Sequence, residues 1–253
     1  MTPREVVQNW PYPLWIAHRG AGKLAPENTL AAFRLGASYG YRMFECDVKL
    51  SADGTPFLLH DDALDRTTNG KGTAGVLPWP ALSELDAGSW HSRAHAGEPI
   101  PTLASIARFC LRHGFWLNIE IKPTTGQEAV TGEKVALAAR QLWSGQPEDK
   151  APLLTSFKPA ALAAAREAAP ELRRGLLLDH LWEGWQTQAK ALECEALICN
   201  HSLWTPNLRN ESRELGLRAL AYTVNHRQET ERLIALQLDG IITDRVDEFK
   251  PES

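Results

Sequence analysis

Short apolar runs alternate with segments of helical period along almost the whole chain. Eight of the runs read as strands: "LWIAH", "MFECDVKL", "FWLNIEI", "PLLTSF", "RRGLLLD", "EALICN", "LRALAYTV" and "GIITD". Between them, "PENTLAAFRLGASYG", "GEKVALAARQLW", "PAALAAAREAA" and "RQETERLIALQL" repeat apolar residues at the spacing of one helix face. The first of these helices is expected to carry Pro26 and Glu27 in its opening turn and Gly40 past its end. Alternation of this kind predicts βα units repeated around a parallel sheet. A length of 253 residues suits an eight-fold α/β barrel, although two smaller domains would also fit it.

One interval breaks the rhythm. From about residue 61 to 101 the chain is rich in Gly, Pro, Trp and turn residues, and is too long for a simple loop in a compact domain. An insertion above the mouth of the barrel is expected there.

The second strand breaks the pattern in another way. Side chains alternate across a strand, so Glu45 and Asp47 share one face while Phe44, Cys46 and Val48 share the other. The apolar face can pack. The acidic face needs a cation, because two close carboxylates held away from water repel each other. The hairpin "SADGTPFLLHDD" then returns His60 to the same region. Strand one ends in His18, Arg19 and Gly20, and strand three ends in "NIEIKP", where Glu120 and Lys122 repeat the same-face spacing. Strand ends of this kind supply the catalytic groups of parallel barrels. A solvated face would account for any one of these groups alone. It does not account for Glu45, Asp47 and Glu120 interrupting strands that should be buried on both sides. One hard cation held by oxygen ligands accounts for all three, which points to Mg²⁺, Ca²⁺ or Mn²⁺.

Composition narrows the class of partner. The chain is 43% hydrophobic and 23% charged, with a net charge of −4, so no basic field is available to hold nucleic acid. No apolar run approaches the roughly 18 residues that span a bilayer, and no basic cluster suggests a membrane surface. The start, "MTPREVVQNWPYPLW", lacks the basic and apolar regions of a secretory signal. Cys46, Cys110, Cys194 and Cys199 are scattered without a C-x-x-C pair, as expected for reduced, mostly buried thiols. A cytoplasmic location is expected. No phosphate-cradling glycine loop or dinucleotide fingerprint is present, so a small-molecule substrate without a nucleotide cofactor is expected.

A cation, two histidines, an Arg and a Lys together suit an anionic substrate whose charge grows in the transition state. A phosphodiester fits: the metal acts as a Lewis acid, Arg19 and Lys122 stabilise charge, and the histidines supply a base and an acid. Three alternatives stay open. One is a phosphodiesterase of lysophospholipids or phosphoinositides on the same barrel; another is a binding protein without catalysis; the last is a sugar-processing barrel with paired carboxylates. Trp79 or Trp90 of the insertion could also hold a quaternary ammonium by cation–π attraction, although packing is the commoner use of Trp.

In this order, "AHRG", "PENTLAAF", "ECDVKLSADGTPFLLHDDALDRTTNGKG", "LDAGSW", "IPTL", "NIEIKP", "LLTSF", "YTVN" and "DGIITD" closely resemble the bacterial glycerophosphodiester phosphodiesterases, above all their cytoplasmic members that serve glycerol 3-phosphate uptake. The resemblance runs from about Leu14 to Asp244. It implies a single (β/α)₈ TIM-barrel domain over residues 1–253 with a small insertion after strand two. It also implies metal-dependent hydrolysis of glycerophosphodiesters to sn-glycerol 3-phosphate and an alcohol. By the same resemblance His18 and His60 are the acid–base pair, Glu45, Asp47 and Glu120 the metal ligands, and Arg19 and Lys122 the phosphate contacts. Glu27 and Asn28 in "PENT" match site-supporting positions, and Phe157 and Tyr222 match pocket aromatics. Many relatives carry Trp at the position of Tyr222.

Overall fold

A computed structural model describes residues 10–251. Its elements in chain order are β1 (Trp15–Ala17), α1 (Leu30–Ser38), β2 (Met43–Leu50), β3 (Pro56–Leu58), α2 (Trp79–Ser83), α3 (Leu103–His113), β4 (Trp116–Ile121), α4 (Glu128–Leu142), β5 (Leu153–Ser156), α5 (Pro159–Ala168), β6 (Arg173–Leu178), α6 (Trp185–Ala191), β7 (Ala196–Asn200), α7 (Pro206–Glu214), β8 (Arg218–Tyr222), α8 (Arg227–Ala235) and β9 (Gly240–Thr243). All strands but β3 pair in parallel, in the order β1-β9-β8-β7-β6-β5-β4-β2, and β1 pairs with β2 to close the ring. The eight apolar runs are thus the eight staves of a closed parallel barrel with helices between them. Among the described residues no helix follows β9. There Phe249 stacks on Trp15, ring centres 5.4 Å apart, and its carbonyl accepts from the Tyr41 hydroxyl.

Two apolar layers lie on either side of each strand. Ile16, Met43, Leu153, Leu177, Ile198, Leu220 and Ile242 fill the barrel interior. Phe44, Cys46 and Val48 turn outward and pack with Phe33, Ile106 and Cys110 of the flanking helices. Because Met43 points inward, Glu45 and Asp47 do so too, one and two layers nearer the mouth. Every residue of β2 is buried. The register has a measurable consequence. Cys46→Ser places a hydroxyl in the outer apolar layer and is expected to cost about 1–3 kcal/mol. Calorimetry should show a lower melting temperature, with metal affinity within about twofold of the parent on the additivity of sites that share no partner. Lost metal binding at unchanged stability would mean that β2 has slipped by one residue.

Two glycines let the first βα loop pack closely. A Cβ on Gly22, whose φ is +58°, would lie 2.2 Å from the backbone of Asp244, and one on Gly36 would lie 2.1 Å from the Gly20 carbonyl. The loop that carries His18 and Arg19 is therefore pressed against both the end of β9 and α1. The α1 boundary differs from expectation. Thr29 caps the helix by accepting from the Ala32 amide, so Pro26, Glu27 and Asn28 form a turn ahead of it, and Glu27 is free for other partners.

Between β3 and α3 the chain has a small apolar centre of its own, built from Phe57, Leu59, Leu64, Ala74, Leu82, Ala87 and Ile100. Isolated bridges Asp86↔Pro99 and Phe57↔Thr102 tie its two ends together, and Thr102 then caps α3. No helix among the described residues is long and apolar enough to cross a membrane.

Candidate active site

The pairing of β2 with β4 sets Asp47 directly beside Glu120, and Glu45 stands one inward position below Asp47. Oxygens of Glu45, Asp47 and Glu120 lie within 4.8 Å of one another in a buried cluster. Their surroundings differ. Burial, then the charges of Asp47 and Glu120, push the Glu45 carboxyl well above its ordinary range, and its Oε1 is buried without a hydrogen-bond partner. Burial and Asp47 also push Glu120 up, against the opposing pull of Lys122. For Asp47 burial acts upward, but Arg19, Lys122, His60 and Asn28 outweigh it and hold the carboxyl low. An orphaned buried oxygen among three carboxylates fits a hard divalent cation, for which Glu45, Asp47 and Glu120 are the ligands the chain offers.

Cationic and amide groups close around this cluster. Arg19 donates its backbone N–H to Glu45 at 3.0 Å and brings its Nε within 3.2 Å of Asp47. Lys122 donates to Glu120 at 2.8 Å, stands 3.6 Å from Asp47, and lies over the Phe157 ring. Asn28 donates to Asp47 at 2.8 Å and accepts from its amide at 3.1 Å. Both Arg19 and Asn28 have left-handed backbones, with φ of 51° and 60°. Such conformations cost a side-chain-bearing residue free energy, and here both point a polar group at the same carboxylate. Lys49 of β2 is also buried and donates to Asp62 and to the Lys122 carbonyl.

Each histidine has a carboxylate behind it. His18 Nδ1 is 2.6 Å from Asp244, whose other oxygen accepts from Asn225 at 2.8 Å. Burial pushes the Asp244 carboxyl up, but the hydrogen bond and charge of His18 outweigh it and the net shift is downward, so Asp244 is an acceptor. An ionised acceptor requires Nδ1 to carry the proton, which leaves Nε2 for substrate; it lies 3.8 Å from Glu45. His60 Nδ1 is 2.7 Å from Asp61 in the same manner. Burial lowers the His60 pKa, with Asp47 opposing. Arg66, from the segment between β3 and α3, donates to Asp61 and to both oxygens of Glu27, and Glu27 accepts from Arg19 at 2.8 Å.

Above the carboxylates a cavity of about 640 Å³ opens at the C-terminal ends of the strands, lined by His18, Arg19, His60, Glu120, Lys122, Phe157 and Tyr222 together with Asp179, His180, Trp182 and Asn200. Phe157 and Tyr222 meet edge to face at 5.6 Å, and the Tyr222 hydroxyl donates to the Leu178 carbonyl. The sequence-based expectations thus converge on one mouth, with Glu45 and Asp47 beneath it and Glu27 and Asn28 at its side. Trp79 and Trp90 do not line the cavity. Trp79 packs on the small apolar centre and Trp90 donates to the Ala87 carbonyl, whereas Trp182 lines the cavity. Asp61, Arg66, Lys49, Asn225 and Asp244 were not foreseen as members of the site.

The family model of the glycerophosphoryl diester phosphodiesterase family matches residues 18–248. A glycerophosphodiester phosphodiesterase of Caldanaerobacter subterraneus subsp. tengcongensis is 34% identical over 232 residues, covering 91% of this chain and 93% of that protein. An Oleispira antarctica phosphodiesterase, solved in complex with the product sn-glycerol-3-phosphate, is 35% identical with a TM-score of 0.84 over 92% of this chain and 93% of its own. A glycerophosphodiester phosphodiesterase from Agrobacterium tumefaciens is 30% identical with a TM-score of 0.77, covering 93% and 98%. Fold, length and sequence agree from the first histidine to the end of the barrel, and the chain belongs to the glycerophosphoryl diester phosphodiesterase family, a family of phosphoric diester hydrolases.

Proposed function

We propose that the chain hydrolyses glycerophosphodiesters, such as glycerophosphocholine and glycerophosphoethanolamine, to sn-glycerol 3-phosphate and the free alcohol with a divalent cation, Mg²⁺ or Ca²⁺. The observation that carries this reading is the meeting of two carboxylate-backed histidines with a buried three-carboxylate cluster at one barrel mouth. A cation held by Glu45, Asp47 and Glu120 would supply Lewis-acid polarisation of a phosphoryl oxygen. Arg19 and Lys122 bind and neutralise the phosphate, and the open Nε2 atoms of His18 and His60 move the protons. Phe157 and Tyr222 bound the space for the organic group. The product seen with the Oleispira antarctica protein supports the glycerol phosphate half of the substrate. Four free thiols, three of them buried, support a reducing compartment and hence the cytoplasm.

The test is a panel of glycerophosphodiesters assayed for released sn-glycerol 3-phosphate, with chelator and then with Mg²⁺ or Ca²⁺ restored. Turnover is expected to vanish in chelator and to return with one of the two ions. Release unaffected by chelator would remove the metal from the reading, and release from lysophospholipids alone would move the substrate class to lysophospholipids.

A further inference from the structure

Arg66 belongs to none of the roles above, yet it joins both sides of the site. Its Nε and Nη2 donate to Asp61 at 2.6 and 3.1 Å, and its Nη1 and Nη2 donate to Glu27 at 2.8 Å each. Asp61 holds His60, and Glu27 holds Arg19, which in turn reaches Asp47. One guanidinium therefore grips the carboxylate behind a histidine and the carboxylate behind the phosphate-binding arginine. A paired fork of this kind fixes two planes at once, which a lysine cannot do. Isolated surface ion pairs contribute little, but a four-bond fork within a continuous network fixes geometry even where it adds little stability.

The chain around Arg66 is built to hold it still. Leu64 and Thr68 on either side are buried, and the Thr68 hydroxyl donates to the Leu64 carbonyl at 2.7 Å. The Leu64 amide donates to the Gly72 carbonyl, while the Asp65 carboxylate accepts from the Gly72 amide. Leu64 also belongs to the apolar centre of the segment between β3 and α3. That segment sets the half-exposed Arg66 guanidinium between Asp61 and Glu27.

Resting on the reading that His60 takes part in catalysis, we propose that Arg66 is a positioning residue that acts on the reaction through Asp61 and His60. Without it Asp61 is free to turn away from Nδ1, the imidazole loses its fixed tautomer and plane, and proton transfer at Nε2 slows. The barrel and the carboxylate cluster remain.

The experiment is a double-mutant cycle on the Mg²⁺-loaded full chain with glycerophosphocholine. Arg66→Gln is expected to lower kcat roughly 30-fold in the parent, within the range of about 10–100-fold that orienting hydrogen bonds carry. In the His60→Ala background the same change should cost less than about threefold, because the group it positions is gone. Arg66→Lys, which keeps the charge but not the fork, should lie between parent and Gln and serves if the Gln variant does not fold. An equal loss in both backgrounds, or none in the parent, overturns the proposal. If His60→Ala itself lowers turnover while the cost of Arg66→Gln persists, only the Arg66 role falls. If His60→Ala leaves turnover intact, the catalytic role of His60 falls first and the proposal with it.

Discussion

With Glu45 changed to Gln, the metal-free protein is expected to melt no lower than the parent, while turnover with Mg²⁺ falls on the order of 10³-fold. The side chain keeps its shape and one acceptor oxygen for the Arg19 amide, so packing is conserved. What is lost is a charge whose burial is uncompensated in the metal-free state: Oε1 has no hydrogen-bond partner, and Asp47 and Glu120 both repel it. Loss of one ligand removes charge stabilisation of several kcal/mol, and about 4 kcal/mol corresponds to 10³ in rate. Asp47→Ala is a poorer probe. It leaves Arg19, Lys122 and Asn28 without the carboxylate they share, so a folding defect and a metal defect would arrive together.

The same variant has a signature in pH. A carboxyl whose folded-state pKa is raised favours the protonated form in the fold, so stability falls as pH rises from the ordinary value of 4.5 toward the raised one. In chelator the parent should therefore lose stability with rising pH through that window, and Glu45→Gln should lose less. Added Mg²⁺ should stabilise the parent more than the variant, since only a site with its full ligand set binds well. Equal stabilisation of both proteins by Mg²⁺, together with retained turnover, would remove Glu45 from the metal site.

Much of this was legible because physical rules act on neighbouring residues. Alternation along β2 placed Glu45 and Asp47 opposite Cys46, and apolar runs of four to eight residues marked all eight parallel strands. The rule that strand ends carry chemistry singled out His18, Glu120 and Lys122, which the fold brings to one mouth. Applied to every strand, it would also have pointed to Asp179 and Asn200, which line the cavity, and to Asp244, which meets His18, at the ends of β6, β7 and β9. Contacts across long separations carry no such local signal. Asp244 meets His18 from 226 residues away, and Arg66 meets Glu27 from 39. The turn before α1 misled for a related reason: Pro26 and Glu27 have the chemistry of a helix start, yet Thr29 is the cap, and Glu27 is used by two arginines instead.

An analogue lacking the glycerol 2-hydroxyl is expected to bind the site but to be cleaved at least about 10³-fold more slowly, a fraction of the effective molarity of about 10⁵ M or more that a well-placed internal nucleophile enjoys. The reasoning is that a glycerophosphodiester carries a hydroxyl on the carbon beside the ester carbon. We propose that this oxygen attacks phosphorus, passing its proton to Nε2 of His18, while the bond to the alcohol breaks and His60 gives the departing oxygen a proton. The product of that step is a cyclic glycerol phosphate, which water opens to sn-glycerol 3-phosphate as the two histidines exchange roles. Both rings are suited to this, because a carboxylate fixes Nδ1 of each and leaves Nε2 free. Burial holds the His60 pKa below its ordinary 6.5 in the free protein, so its protonated form is lost as pH rises through that lowered value. The phosphate anion of a bound substrate acts in the opposite direction. Turnover of alkyl substrates should therefore fall toward high pH, and a nitrophenyl ester, whose leaving group needs no proton, should not share that limb and should be partly spared in His60→Ala. Rapid cleavage of the deoxy analogue would instead favour direct attack by water, and an identical high-pH limb for both esters would take the acid role from His60.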